Sequence, residues 1–182
     1  MKYHKIIAVC LILLPGAVSA GNFGIGVSLK SSDSAIYFPY KLNETLIFEP
    51  YISQRSNKVT NVDSTINYTQ TLIGFGLLAN KSVYEKTHVY YGVRLAYIKD
   101  KNTIEANFNI LSPNNGSTSG YQVEPLIGIS YNVTNNIALR GEAALFYNKR
   151  DGEEFNTVSN QNQDIEKTEN GTITRILLSY YF

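Results

Sequence analysis

From residue 22 to the final phenylalanine, apolar side chains recur at every second position in run after run, and charged side chains fall on the positions between. A period of two marks a strand with two unlike faces. In the last run, Thr174, Ile176, Leu178, Tyr180 and Phe182 make one face, and Ile173, Arg175, Leu177, Ser179 and Tyr181 the other. NFGIGVSLK, AIYFPYKL, LIFEPYISQR, QTLIGFGLL, THVYYGVRLAYIK, YQVEPLIGISYN and NIALRGEAALFYN repeat the design, which predicts eight strands.

The two faces differ in a consistent sense. One is apolar, as with Ile25 and Val27, Ile73 and Phe75, or Val93 and Leu95; the other holds Lys41, Glu49, Arg94, Glu124, Arg140, Glu142 and Arg175 among glycines and tyrosines. A water-soluble barrel puts charge outside and apolar groups inside. An apolar exterior around a polar interior is the membrane arrangement, where an Arg or Lys facing lipid at mid-depth would cost about 2–4 kcal/mol. The pattern therefore predicts an all-β, eight-stranded antiparallel transmembrane β-barrel. A barrel of that size is filled by its own side chains. The seven luminal charges are accordingly expected to form a packed ion network, with Gly24, Gly26, Gly74, Gly76, Gly92 and Gly128 making room for Tyr37, Tyr51, Tyr90, Phe146 and the arginines.

Connection lengths carry a second argument. The links at 43–45, 79–86 and 132–136 read as short, and those at 56–67, 100–119 and 150–170 as long polar loops; only the first hairpin, at 31–34, is short where a long one is due. Alternation of this kind fits brief periplasmic turns and larger extracellular loops.

The N-terminus reads as a signal peptide over residues 1–20. Lys2 and Lys5 precede an apolar run from Ile6 to Leu14, then Pro15 and Gly16, and the small residues Val18, Ser19 and Ala20, with cleavage expected after Ala20. Residues 21–182 are then one barrel domain. The only cysteine, Cys10, leaves with the signal, so no disulfide, thiolate or cysteine metal site is expected. Fourteen tyrosines and no tryptophan are present; Tyr40, Tyr97, Tyr131, Tyr147 and Tyr180 fall at strand ends, where an amphipathic ring suits the membrane interface. A net charge of +1 gives no basic excess for nucleic acid.

Candidates for chemistry are few. Past residue 20 the only histidine is His88, beside a short connection and without a serine and carboxylate in motif spacing, so no catalytic centre and no cofactor are expected. Asp151, Glu153 and Glu154 read as a solvated acidic loop rather than a metal site.

The ending TRILLSYYF, with Ile176, Leu178, Tyr180 and a terminal Phe182, resembles the C-terminal assembly signal of bacterial outer-membrane barrels. The chain as a whole resembles the small outer-membrane barrels of the OmpA transmembrane, OmpX and opacity-protein type. That resemblance implies an outer-membrane location with both termini periplasmic, and lipid and lipopolysaccharide as surroundings. It also implies the barrel-assembly machinery as a partner during biogenesis, a monomer, and a structural or surface-interaction role through loops that meet a host or surface ligand. A small pore for ions or solutes is the alternative, and a lipid A-modifying enzyme a further one.

Overall fold

The structure, a computed structural model, describes residues 21–29, 34–60, 64–106, 114–156 and 161–182; the expected signal peptide lies outside them. They form one antiparallel sheet of nine strands: β1 (Gly24–Ser28), β2 (Ser34–Tyr37), β3 (Tyr40–Lys41), β4 (Leu46–Thr60), β5 (Ser64–Tyr84), β6 (Thr87–Ala106), β7 (Asn114–Asn132), β8 (Ile137–Asn156) and β9 (Gln161–Tyr181). β2 and β3 are two pieces of one stave. Both pair with β4 in a single register, and the break falls at Pro39, which has no N–H for the ladder. Counted so, there are eight staves, and the pairing of β9 with β1 closes the ring.

Closure fixes the stagger. Registered partners lead from Val27 through Ile36, Ile52, Ile73, Tyr97, Tyr121 and Lys149 to Thr168, ten residues from Leu178, which β9 sets against Val27. A shear of that size on eight staves means strands tilted by roughly 45°.

Burial follows the period of two. Ile25, Ile36, Ile73, Phe75, Leu95, Ile127, Leu139 and Leu178 are exposed, while Tyr37, Tyr51, Leu78, Tyr90, Ile98 and Leu177 are buried. Exposed Tyr97, Tyr121 and Tyr147 cap this apolar belt at one end, and Tyr131, Tyr180 and Phe182 at the other. Ten residues of β7 separate Tyr121 from Tyr131, which at that tilt is about 23 Å, the height of a bilayer's hydrocarbon band.

The connections differ from the sequence reading. Regions expected as long loops are mostly strand: Thr60 pairs with Thr65, Ile104 with Asn114, and Asn156 with Gln161. The expected short link at 79–86 is strand up to Tyr84. Beyond the lipid the outward face of a strand meets water and the inward face packs polar side chains such as Asp100 and Arg150, so the apolar alternation ends while the backbone ladder continues. The upper parts of β4 to β9 thus form a six-stranded sheet standing above the belt. Its wall is incomplete: β1 ends at Ser28 and β2 begins at Ser34, and among the described residues no strand flanks β9 above Ile176 or β4 above Gln54 on that side.

Candidate functional site

Side chains of one parity on every stave point into the lumen, and six of the seven predicted charges meet there. Arg94 is wholly buried on β6 at the centre. Its guanidinium donates to Glu49 Oε1 through Nη2 (2.7 Å) and Nε (3.2 Å), to both carboxylate oxygens of Glu142 (2.6 and 2.9 Å), and to Glu124 Oε1 (3.1 Å). Arg175 makes a bidentate pair with Glu124, at 2.5 and 2.8 Å, and reaches Glu142 at 3.0 Å. Arg140 donates to the other oxygen of Glu49. Three guanidiniums and three carboxylates therefore balance, each with more than one hydrogen bond or ring contact, as charge in a low-dielectric interior requires.

Aromatic rings fill what the ions leave. Arg94 lies 4.9 Å from the Tyr37 ring centre and 5.9 Å from that of Tyr51, and Arg140 lies 4.5 Å from that of Tyr90. The Tyr90 hydroxyl donates to Glu142 Oε2 at 3.1 Å, and Gln122 donates to Glu124 at the same distance. Glycine makes this possible at particular places: a Cβ on Gly128 would run into the Tyr90 ring, and one on Gly76 would lie 3.0 Å from Arg94 Cγ. Two apolar clusters flank the network, one with Tyr37, Leu72, Ala96, Ile98 and Leu177, the other with Ile47, Leu78, Tyr90 and Leu126.

The seventh predicted charge, Lys41, stands apart from this cluster. Its ammonium lies 4.4 Å from the Tyr181 ring centre and makes no ion pair among the described residues. His88 is at the same end, with its ring bonded to Asn132 at 3.2 Å and, among the described residues, to no serine or carboxylate. Ile176, Leu178 and Tyr180 are exposed on the outer face of β9, and Phe182, just past its end, is exposed as well. The Phe182 N–H donates to Phe23 at 2.9 Å, and the two rings stack at 5.9 Å. Among the described residues no group of His, Cys, Asp and Glu is arranged to hold a metal.

A second polar cluster escaped the sequence reading. Arg150 Nη1 donates to Asp100 Oδ2 and, at 3.4 Å, to the Tyr68 hydroxyl, while Nη2 lies 2.5 Å from Glu169. Asp100 and Arg150 fall in segments expected as loops. They nonetheless keep the inward parity of Arg94 and Glu142 on the same strands, and that continued parity was the available signal. Asp100 lies six residues up β6 from Arg94, about 14 Å higher at the strand tilt and just above the tyrosine belt.

No protein-family model matches the chain, and no curated protein matches it in sequence. Solved structures match its fold. A major outer membrane protein of Thermus thermophilus superposes with a TM-score of 0.56 at 12% identity, over 88% of this chain and 98% of that one. Neisserial surface protein A gives 0.52 at 17% identity, over 88% and 93%. Ail, the attachment invasion locus protein of Yersinia pestis, in complex with the heparin analogue sucrose octasulfate, gives 0.52 at 12%, over 88% and 94%. The closed ring and these matches define the fold as that of the small eight-stranded outer-membrane β-barrels, whose setting is the bacterial outer membrane. At such identities the likeness is one of fold.

Proposed function

We propose that the protein is a sealed outer-membrane barrel that acts at the cell surface, through the six-stranded sheet its hairpins raise above the lipid. The observation that carries this reading is the ladder of β4 to β9, which runs on from the apolar belt into a polar region; between β7 and β8 its rungs skip only Glu124 and Pro125, inside the belt. Outward positions there are hydrophilic, with Lys99, Lys101, Ser119, Lys149, Asp151, Glu166 and Thr168 replacing the aliphatic residues below. Lys149 is paired with Glu166 at 2.6 Å, so the charge is mixed and suits a polar protein surface better than a polyanion. The sulfated ligand of Ail is in that respect a weak guide to the partner here.

The pore reading rests on the charged lumen. Against it, Arg94, Glu49 and Glu124 are wholly buried, and passage of an ion would require breaking several charge-assisted hydrogen bonds at once. Two measurements test the proposal. Purified protein in planar bilayers should show no stable openings; openings altered by Glu142→Gln would establish transport instead. Bacteria displaying a variant with its β6–β7 and β8–β9 hairpins trimmed to the belt should adhere to cultured epithelial cells less than those displaying the full chain. Equal adherence would remove the surface sheet from the function and leave an envelope role. Catalysis is not part of the proposal, and the lipid A mass spectrum of expressing cells should be unchanged.

A further inference from the structure

The periplasmic mouth holds a depression of about 1250 Å³ lined by, among others, Asn22, Lys41, Asn80, Lys81, Ser82 and His88. Three facts about it belong together. Lys41 points inward from β3, and its ammonium has neither a hydrogen bond nor a carboxylate partner among the described residues; the Tyr181 ring at 4.4 Å is its one contact of note. The ion network above cannot supply that partner, since its three glutamates are matched by three arginines. His88 offers a donor in the same place. Nε2 faces the Asn132 amide nitrogen at 3.2 Å, an arrangement that leaves Nδ1 as the ring's donor, and Nδ1 is buried with no partner among the described residues. One carboxylate, Glu44, also lines the depression, in the exposed 43–45 turn, and it pairs with neither lysine.

A cation short of a counter-charge, a buried N–H short of an acceptor, and amide and hydroxyl groups around an open cavity share one requirement, a small acceptor bearing negative charge. We propose that the periplasmic mouth binds an oxyanion of carboxylate or phosphate type between Lys41 and His88. Lys41 supplies the charge, the His88 Nδ1–H a directed hydrogen bond, and the Asn80 amide a further donor; the Ser82 hydroxyl is already turned to the Tyr84 carbonyl. This site is independent of the surface sheet at the other end of the barrel and of the reading placed on it.

His88 is the only histidine past residue 20, so its ring carbon–proton resonance in micelle-refolded mature protein is a single reporter. At fixed pH and ionic strength, titration with inorganic phosphate, and separately with acetate, should move that resonance along a saturating curve, while chloride should not. A response to one anion only would name the source chemistry. Lys41→Met should weaken the affinity by about tenfold or more, as loss of a charge-assisted contact does, whereas Lys86→Met, in the exposed turn below, should leave it unchanged. If Lys41→Met does not fold, Asn80→Asp, which places a carboxylate in the wall, should abolish saturation. A response that is linear with each anion, or saturation that neither Lys41→Met nor Asn80→Asp weakens, would overturn the proposal.

Discussion

Arg94 meets three carboxylates in a space closed to water, so deleting its charge strands Glu49, Glu124 and Glu142 with too few donors. Arg94→Met should therefore cost about 3–5 kcal/mol, as breaking a buried ion pair does, read as a lower urea midpoint for the barrel in lipid vesicles. Adding Glu142→Gln should recover part of the loss, and a single-variant cost under about 1 kcal/mol would show that the network contributes little. Glycines give a sharper contrast. A Cβ on Gly120 would overlap the Lys149 carbonyl and approach Arg150 Cα at 2.8 Å, whereas one on Gly141 meets nothing within 4 Å. Gly120→Ala should lose about 1–3 kcal/mol through overpacking, and Gly141→Ala should stay within about 0.5 kcal/mol of the parent, both measured in the same urea titration. At this scale the sequence was partly legible. Gly76 and Gly128 yield to Arg94 and Tyr90, as side-chain size suggests. Gly120 and Gly74 are required by the close approach of a neighbouring backbone, which no residue pattern announces.

Individual strands were legible only where lipid touches them. The alternation of β8 stops near Tyr147, yet the strand runs to Asn156, because pairing with β9 asks nothing of outward side chains. What the pattern records is the membrane, and strand length is a separate property. The same reasoning explains why Asp100 and Arg150 were assigned to loops. Backbone direction on β9 makes a testable consequence. Leu29 N–H donates to Ile176, and Phe182 N–H to Phe23, so even-numbered residues of β9 turn their backbone groups toward the β1 side. Hydrogen exchange should then alternate above the ring, with Thr168, Asn170 and Thr172 exchanging quickly and Glu169, Gly171 and Ile173, bonded to β8, slowly. Uniform protection would mean that the edge is covered. Phe182 has its own prediction: deleting it removes the stack on Phe23 and a ladder bond at the seam, so the fast-migrating folded band on unboiled gels should weaken in outer-membrane fractions. An unchanged band would show that closure and assembly do not depend on it.

For the molecule as a whole, the groups that hold the ring and the sheet proposed to act at the surface lie in different parts of one fabric. The ion network, both apolar clusters and the β1–β9 seam lie within the belt. Trimming the β6–β7 and β8–β9 hairpins above it should accordingly leave a heat-modifiable, membrane-inserted barrel, and loss of the folded band would show that the upper sheet helps to hold the ring. The eight-stave architecture was readable from parity and charge alone. The missing wall above β1 and β2 was not, because it depends on how far each ladder runs. It has a mechanical consequence. Below the tyrosines, strand number and shear together fix the radius. Above them, among the described residues, no strand joins the two margins of the six, so the circumference is not fixed there and the sheet can change its curvature without breaking a rung. One continuous fabric is therefore a rigid tube in the lipid and a compliant trough outside it.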